Sequence, residues 1–309
     1  GVLAVSAGEL HTCALLEGGT VRCWGDNSRG QLGNGDTLPA LEPVEVPGLG
    51  ANVLAVAAGQ AHACALHAGG QVTCWGANDR LQLGGGTDTH STRAVLVAGL
   101  PANLTALSAG ATHTCATTAA GEAWCWGSNT SGELGDGQSG VGRSSGPVRV
   151  EGLPGPVRAL TSGGGHTCAR VGDGEAACWG SNVTGALGDD TALDSVKPVR
   201  PVRLPVGIRQ VRAGWAFTCA LGPDGGVQCW GQNQSGQLGD GTRLHRAAPV
   251  RVTGLDAEAE DVAAGMTSAC AVLRDGRVAC WGGNAAGQLG DGTQTDRVSP
   301  VEVDGLEAP

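Results

Sequence analysis

The stretch Phe217-Thr-Cys-Ala-Leu-Gly-Pro-Asp-Gly-Gly-Val-Gln-Cys-Trp-Gly231 decides the fold, because it is one copy of a pattern that fills the chain. Its two cysteines stand ten positions apart, and the second begins the tripeptide Cys-Trp-Gly. Successive copies of this tripeptide are separated by 51, 51, 53, 51 and 51 residues. The six copies begin at Cys23, Cys74, Cys125, Cys178, Cys229 and Cys280. The sequence of 309 residues is therefore a six-fold repeat.

Each repeat contains short apolar segments separated by turns that carry glycine. Apolar residues recur in them with a period of two, which is typical of β-strands. Four such strands in a repeat of this length predict an all-β, six-bladed β-propeller. An open solenoid is the alternative, but it would need polar end caps, and the first and last copies look like the others. We expect a single propeller over residues 1–309, with approximate repeats 1–50, 51–100, 101–153, 154–205, 206–255 and 256–309.

Three strings of the first repeat carry a family resemblance. They are Ala7-Gly8-x-x-His11-Thr12-Cys13-Ala14-Leu15, Trp24-Gly25-x-Asn27-x-x-Gly30-Gln31-Leu32-Gly33 and Pro43-Val44-x-Val46. With these strings the chain resembles the regulator-of-chromosome-condensation (RCC1-like) propellers, and specifically a secreted, disulfide-containing, bacterial-type member. The resemblance implies the propeller fold. The best-known eukaryotic member has seven blades, a basic tail and an inserted catalytic wedge, so the resemblance does not lead us to expect nucleotide exchange on a GTPase.

Composition narrows the classes of function. The 55 glycines follow no Gly-X-Y period, which excludes collagen, and 41% hydrophobic residues are too many for a disordered chain. The formal net charge is −10, and the lone Lys197 and the arginines are scattered, so we expect no nucleic-acid partner. The numbered chain shows no apolar run of 18 residues and no leader, so we expect no membrane span and no signal peptide in it.

The cysteines predict six disulfides within the repeats. A hairpin centred on Gly18 would place Cys13 opposite Cys23, close enough for a cross-strand disulfide. The expected pairs are Cys13 with Cys23, Cys64 with Cys74, Cys115 with Cys125, Cys168 with Cys178, Cys219 with Cys229, and Cys270 with Cys280. Zinc would need more closely spaced cysteines, and twelve reduced core cysteines are the remaining alternative. Disulfides indicate a secreted, periplasmic or cell-surface protein.

Candidate catalytic and metal-binding residues are few. Four repeats carry histidine two residues before the first cysteine, at His11, His62, His113 and His166, whereas the other two carry Phe217 and Ser268. A recurring position indicates a structural histidine, so we expect no metal and no cofactor. Leu-Gly-Asp-Gly strings at Asp136, Asp240 and Asp291 lack the alternating carboxylates of a calcium loop and indicate turns. We expect no enzyme activity, with an enzyme as the minority hypothesis.

The loops between the first two strands of each repeat are the candidate binding surface. Trp215, Phe217 and Met266 bring the only phenylalanine, the only methionine and an extra tryptophan into adjacent repeats. Large apolar residues on a rigid rim are natural interface anchors, although they would equally plug a central channel. The secreted β-lactamase-inhibitor propeller, which this chain resembles, binds its enzyme with aromatic residues of such loops. The candidate partner-binding residues are Glu9, Leu10, Gln60, Thr112, Trp215, Phe217 and Met266.

These observations predict a non-catalytic extracellular scaffold that binds a protein or a surface polymer through its rim loops. The alternative is a structural subunit of an extracellular assembly, with self-association through blade edges or faces. The tryptophans of Cys-Trp-Gly are expected to wedge between blades, and the repeated asparagine after them is expected to organise a turn.

Overall fold

The computed structural model describes residues 1–138 and 142–306. Its 24 strands form six four-stranded antiparallel sheets, each made of consecutive strands in chain order. The fold is an all-β, six-bladed β-propeller, and we number the sheets as blades 1 to 6. The chain divides into two compact units, residues 1–152 with blades 1 to 3 and residues 153–309 with blades 4 to 6. The described part of the chain contains no helix suited to crossing a membrane.

The first unit contains twelve strands. Blade 1 consists of β1 (Val2–Ala7), β2 (His11–Leu16), β3 (Val21–Gly25) and β4 (Ala40–Glu45). Blade 2 consists of β5 (Val53–Ala58), β6 (His62–His67), β7 (Val72–Gly76) and β8 (Ser91–Leu96). Blade 3 consists of β9 (Leu104–Ala109), β10 (His113–Thr118), β11 (Ala123–Ser128) and β12 (Arg143–Arg149).

The second unit repeats this arrangement. Blade 4 consists of β13 (Val157–Ser162), β14 (His166–Val171), β15 (Glu175–Gly180) and β16 (Ser195–Val199). Blade 5 consists of β17 (Gln210–Ala213), β18 (Phe217–Leu221), β19 (Val227–Gly231) and β20 (Arg246–Arg251). Blade 6 consists of β21 (Ala259–Ala264), β22 (Ser268–Leu273), β23 (Val278–Gly282) and β24 (Arg297–Glu302).

The second and third strands of every blade form a hairpin that is closed by a disulfide. In blade 1 the turn contains Gly18 and Gly19 with φ of 85° and 80°, a region that glycine adopts without steric cost. This turn places Cys13 directly opposite Cys23. All six predicted disulfides are present, and the paired cysteines have Cα atoms 4.0 to 4.1 Å apart.

In blades 2, 3, 5 and 6, the tryptophan of Cys-Trp-Gly lies at the interface with the preceding blade. Because side chains alternate along a strand, the indole and the neighbouring cysteine sulfur point to opposite faces of the blade. The fully buried indole of Trp75 packs in blade 2 against Cys13, Cys23 and Leu32 of blade 1. Its Nε1–H donates to the main-chain carbonyl of Gln31 at 3.0 Å. This geometry confirms the predicted wedge.

The same indole bond recurs at every interface between neighbouring blades of one unit. Trp126 donates to Gln82, Trp230 to Ala186 and Trp281 to Gln237, at 2.8 to 2.9 Å. Each acceptor carbonyl belongs to the residue just before the leucine of the Gly-x-Leu-Gly loop of the preceding blade, which in blade 2 reads Leu81-Gln82-Leu83-Gly84. The loop glycine that follows the leucine lies against the indole, so a Cβ on Gly239 would lie 3.0 Å from Cδ1 of Trp281.

Two of these carbonyls accept a second bond that links them to a buried histidine. The Gln82 carbonyl also accepts from Thr114 Oγ1 at 3.2 Å, and Thr114 Oγ1 lies 2.9 Å from His62 Nε2. Because the threonine hydroxyl has already donated its only proton, it accepts from Nε2–H of His62. His166, Thr218 and the Ala186 carbonyl repeat this chain of bonds. The histidine position is thus a structural part of the interface.

His11 lacks this partner. Blade 2 carries Ala63 where blade 3 carries Thr114, and neither ring nitrogen of the buried His11 makes a hydrogen bond. The ring nevertheless has the orientation of its equivalent, since Cε1 and Nδ1 of His11 lie against Gly8 as those of His62 lie against Gly59.

Burial keeps the imidazoles of His11, His62 and His113 neutral. It lowers the pKa of His62 from 6.5 to about 3 and that of His113 to about 4, where the nearby Glu133 carboxylate partly opposes the effect. The pKa of His11 also falls to about 4, with Asp26 acting in the opposite direction.

The repeated asparagine organises the loop between the third and fourth strands. Asn27 is fully buried, and its Oδ1 accepts from the Leu32 amide at 2.9 Å while its Nδ2 donates to Asp36. The other five repeats make the same asparagine-to-leucine bond. The predicted turn role of this residue is confirmed.

Loss of one disulfide should destabilise the protein measurably. For Cys64→Ala with Cys74→Ala we expect the free energy of unfolding to fall by about 3 kcal/mol, because the opened hairpin regains loop entropy when unfolded. Denaturant unfolding followed by tryptophan fluorescence measures the change. In excess reductant the parent loses its disulfides too, so the difference in unfolding free energy between variant and parent should shrink. A difference that stays the same in reductant would contradict this explanation.

The free energy of unfolding should decrease as the pH is lowered below about 6.5, which is the pKa of histidine in the unfolded chain. Because the folded-state pKa values of His11, His62 and His113 lie near 3 to 4, the unfolded chain binds more protons in this range. We expect a loss of about 2 kcal/mol per histidine between pH 7.5 and pH 5. His62→Phe, which introduces the residue that blade 5 carries at Phe217, should remove one such contribution, and a pH profile identical to that of the parent would refute the assignment.

Ala63→Thr should stabilise the protein by about 1 kcal/mol, a typical net value for a buried hydrogen bond. The new hydroxyl would donate to the Gln31 carbonyl and accept from His11, as Thr114 does in the next interface. Ala63→Val, which adds the same volume without a hydroxyl, is the matched control. Equal unfolding midpoints for the two variants would show that the hydroxyl gains nothing.

Candidate functional site

The candidate site is the set of short loops that join the first two strands of each blade, which we call the rim loops. Each is pinned at its last residue, whose carbonyl accepts from the amide that follows Cys-Trp-Gly. In blade 1 the Leu10 carbonyl accepts from Asp26 at 2.8 Å, and in blade 5 the Ala216 carbonyl accepts from Gln232 at 2.9 Å. The rim loops therefore lie at the same end of the blade as the loops between the third and fourth strands.

The rim loops of the first unit are polar and linked to one another. Gln60 Nε2 donates to Glu9 Oε2 at 2.8 Å, and the Glu9 amide donates to the Gln60 carbonyl at 3.3 Å. Leu10 is 67% exposed, whereas Thr112 is partly buried and its carbonyl accepts from Ser128. All four predicted residues of this unit lie on the rim, but only Leu10 presents a large apolar side chain.

The rim loops of the second unit present two large apolar side chains. Trp215 is partly exposed, and Met266, at the equivalent position of blade 6, is 50% exposed. The main chain of Trp215 is held on both sides, because its amide donates to Gly265 at 3.2 Å and its carbonyl accepts from Gly164 at 2.8 Å. The indole lies against Gly164, where a Cβ would come within 2.9 Å of Cδ2. A glycine in blade 4 thus makes room for the tryptophan of blade 5.

Phe217 does not belong to this surface. Its side chain is fully buried in the core that also contains Cys219 and Trp281. Blade 6 carries Ala269 where a threonine would offer a hydroxyl, so this interface has an apolar ring in place of histidine. The expectation that Phe217 joins Trp215 and Met266 in an exposed cluster is therefore wrong, because the position faces the core and not the rim.

The histidines offer no accessible ligands, since His11, His62, His113 and His166 are all buried. Within residues 1–138 and 142–306, no group of three or more His, Cys, Asp or Glu side chains is placed to hold a metal ion. Ion pairs form beside the loops between the third and fourth strands, as in Arg29 with Asp79 at 2.7 Å and Arg246 with Asp240 at 3.0 Å.

Sequence reasoning missed one concave feature. A cleft of about 380 Å³ in the second unit is lined by residues that include Arg203, Asp224 and Arg251. It borders the hairpin between β18 and β19, at the end of the blade opposite the rim loops. No repeat signal points to it, because Arg203 lies in the connection between two blades, where the repeats differ in sequence.

Comparison with known proteins identifies the family. The family described as RCC1-like domain matches residues 1–308. The Arabidopsis thaliana ultraviolet-B receptor UVR8 is 31% identical over 309 residues, which covers 98% of this chain and 70% of that protein. The human E3 ubiquitin-protein ligase HERC2 is 31% identical over 317 residues, covering 99% of this chain but only 6% of that protein. The chain thus corresponds to a small part of HERC2.

Solved structures show the same fold. Human WBSCR16 superposes with a TM-score of 0.86 at 23% identity, over 98% of this chain and 81% of that one. Yeast RCC1 (Prp20), solved bound to Kap60, gives a TM-score of 0.85 at 24% identity, over 98% of this chain and 74% of that one. With a family match that spans nearly its whole length and a relative that is 31% identical, the chain belongs to the family of RCC1-like domains.

Proposed function

We propose that this protein is a non-catalytic interaction scaffold that binds another protein through the rim loops of its second unit. The observation that carries the proposal is the pair of large apolar side chains, Trp215 and Met266, held at equivalent rim positions of neighbouring blades. Aromatic residues and methionine are enriched in the buried centres of protein interfaces. Each of these side chains presents apolar surface to solvent that a partner would cover.

The rigid blades favour binding because the rim loops lose little conformational freedom when a partner docks. Trp215 is fixed through main-chain bonds to Gly164 and Gly265, and the blade beneath it is closed by the Cys219 to Cys229 disulfide. A loop that already has its bound conformation pays a smaller entropic penalty when the partner docks.

The disulfides support an oxidising location. All twelve cysteines are paired in six short hairpins, an arrangement that persists in secreted, periplasmic or cell-surface proteins. We therefore propose an exported member of the family. The use of arginine in place of lysine is the compositional feature that favours a bacterial-type source. Mass spectrometry of the native protein without reductant would overturn the proposal if it found twelve free thiols.

The relatives favour binding over catalysis. Yeast RCC1 has been solved bound to Kap60, and a second study of that protein concerns its binding to Gsp1p and histones. HERC2 is named as an E3 ubiquitin-protein ligase, but this chain matches only 6% of the length of that protein. Neither name assigns a reaction to the residues of this chain.

The proposal predicts that Trp215→Ala with Met266→Ala weakens partner binding strongly. The partner is first captured by cross-linking from the envelope fraction of the source organism and purified, and its affinity is then measured by calorimetry. We expect at least a roughly 100-fold weaker Kd, because two interface anchors are truncated.

Leu96→Ala is the matched control, since Leu96 is 56% exposed but lies in the outer strand β8 of blade 2. This variant should bind like the parent, and all variants should unfold at similar denaturant concentrations. Unchanged binding by the double variant would refute the assigned surface, whereas turnover in an activity screen would refute the non-catalytic class.

A further inference from the structure

Arg251 carries a charge whose partner is missing from its blade. At the same repeat position, the outer strands of blades 3, 4 and 6 carry a charged residue that is paired with the residue three positions before the second cysteine. The pairs are Arg149 with Glu122 at 2.9 Å, Arg200 with Glu175 at 3.0 Å, and Glu302 with Arg277 at 3.3 Å. Blade 5 carries Gly226 at the partner position. Arg251 therefore forms no ion pair with any residue that the structure describes.

Arg203 occupies a backbone position at which the other five blades carry glycine. Its φ is 59°, and the equivalent glycines have φ between 76° and 90°; they are Gly48, Gly99, Gly152, Gly254 and Gly305. This left-handed backbone is unfavourable for residues with a Cβ, and residues held in it are concentrated at functional sites. Among the described residues, the only acid paired with Arg203 is Asp190 at 3.5 Å, and both side chains are exposed. Such a pair is weak and leaves most N–H donors of the guanidinium for a ligand.

Both arginines line the cleft of about 380 Å³ beside the hairpin between β18 and β19. The third charged residue of its lining is Asp224, whose Oδ1 accepts from the Gly226 amide at 3.0 Å. The lining thus carries one net positive charge. Leu204 and Pro205 add an apolar wall, and the half-buried Gln228 adds a side-chain amide. A cleft of this volume is large enough for a small ligand or for the end of a peptide.

Two departures from the repeat therefore meet in one cleft. An arginine replaces the glycine at position 203, and a glycine at position 226 replaces the acid that would neutralise a second arginine. The first change is unfavourable for the backbone, and the second leaves a cation without its partner. Both changes add positive charge to the same concave surface, so the feature that they share is the binding of an anion.

We propose that this cleft binds the carboxylate of a peptide C-terminus whose last side chain is apolar. The guanidinium groups of Arg203 and Arg251 donate to the carboxylate oxygens, because their planar pairs of N–H groups match the geometry of that anion. The last side chain packs on Leu204 and Pro205. A single negative charge balances the lining, whereas a phosphate dianion would place a second negative charge beside Asp224.

This site is separate from the rim surface of the proposed function. The hairpin between β18 and β19 lies at the end of blade 5 opposite the loop that carries Trp215. Neither Trp215 nor Met266 lines the cleft. Failure of one proposal therefore leaves the other intact, and each is tested by its own variants.

The test titrates the folded chain 1–309 with N-acetyl-alanyl-leucine and, separately, with the same peptide as its C-terminal amide. NMR follows the amide signals of Gly226 and Gln228 at low ionic strength, where the attraction between arginine and carboxylate is least screened. We expect saturable shifts of both signals with the acid, and a Kd at least about 10-fold weaker for the amide. Equal affinity for the two peptides, or no saturable shift, would overturn the proposal. Displacement of the acid by an equal concentration of inorganic phosphate would also overturn it.

Two variants give the cleft the residues that other blades carry. Arg203→Gly introduces the glycine of the other five blades, so the fold should be kept while binding of the acid weakens by at least about 10-fold. Gly226→Glu supplies Arg251 with the partner that Arg149 has in Glu122, and it should weaken binding similarly. A Cβ at this position would lie nearest to the carboxylate of Asp224, at 3.1 Å, and that exposed side chain can move aside.

The matched control is Arg149→Ala, which removes the arginine at the equivalent position of blade 3, where Glu122 already neutralises it. This variant should bind the acid like the parent, whereas Arg251→Ala should not. Equal losses of affinity in Arg149→Ala and Arg251→Ala would show that the peptide responds only to overall charge, which overturns the site. Unchanged affinity in Arg251→Ala, or in both folded variants Arg203→Gly and Gly226→Glu, would overturn it as well.

Discussion

One hydrogen bond organises the interfaces between blades: an indole N–H that reaches across to a main-chain carbonyl of the preceding loop. The bond between Trp126 and Gln82 measures 2.8 Å and is fully buried. If it broke, water could not reach the indole N–H or the carbonyl to replace the lost partner. It aligns two sheets while the ring fills the space beside a disulfide and a leucine. Four neighbouring residues support this bond. The buried asparagine holds the loop that carries the carbonyl, and the loop glycine leaves room for the ring. The threonine and the histidine lie next to the same carbonyl.

The departures from the repeat are explained by this interface. Where threonine is absent, the histidine loses its partner, and the chain carries either an unpartnered imidazole at His11 or a hydrocarbon ring at Phe217. Where a neighbour offers glycine, as Gly164 does, a tryptophan occupies the space above it. A residue that departs from the repeat in one blade is therefore matched by a residue of the adjacent blade. Phe217 of blade 5, for example, is explained by Ala269 of blade 6, which offers no hydroxyl to a histidine.

Much of the fold could be predicted from the spacing of Cys-Trp-Gly, since the period defines the blade and the ten-residue separation defines the hairpin. The disulfides and the turn role of Asn27 followed from the same pattern. The candidate site could be predicted only in part. Phe217 and Met266 are both rare residues in adjacent repeats, but one follows the rim loop by a single position and points into the core. The cleft near Arg203 lies in a connection between blades, where no periodicity constrains the chain.

The interface has a direction, because at the four interfaces within the units the loop side of one repeat meets the tryptophan side of the next. Every repeat carries both halves, so a duplicated segment of one period arrives with a ready acceptor and a ready donor. Insertion of one whole period would therefore keep the indole bond at the junction, whereas paired positions such as Gly164 and Trp215 would still have to match. A change in repeat number would thus leave the packing chemistry of the indole unchanged and would alter only the number of rim loops that the protein presents.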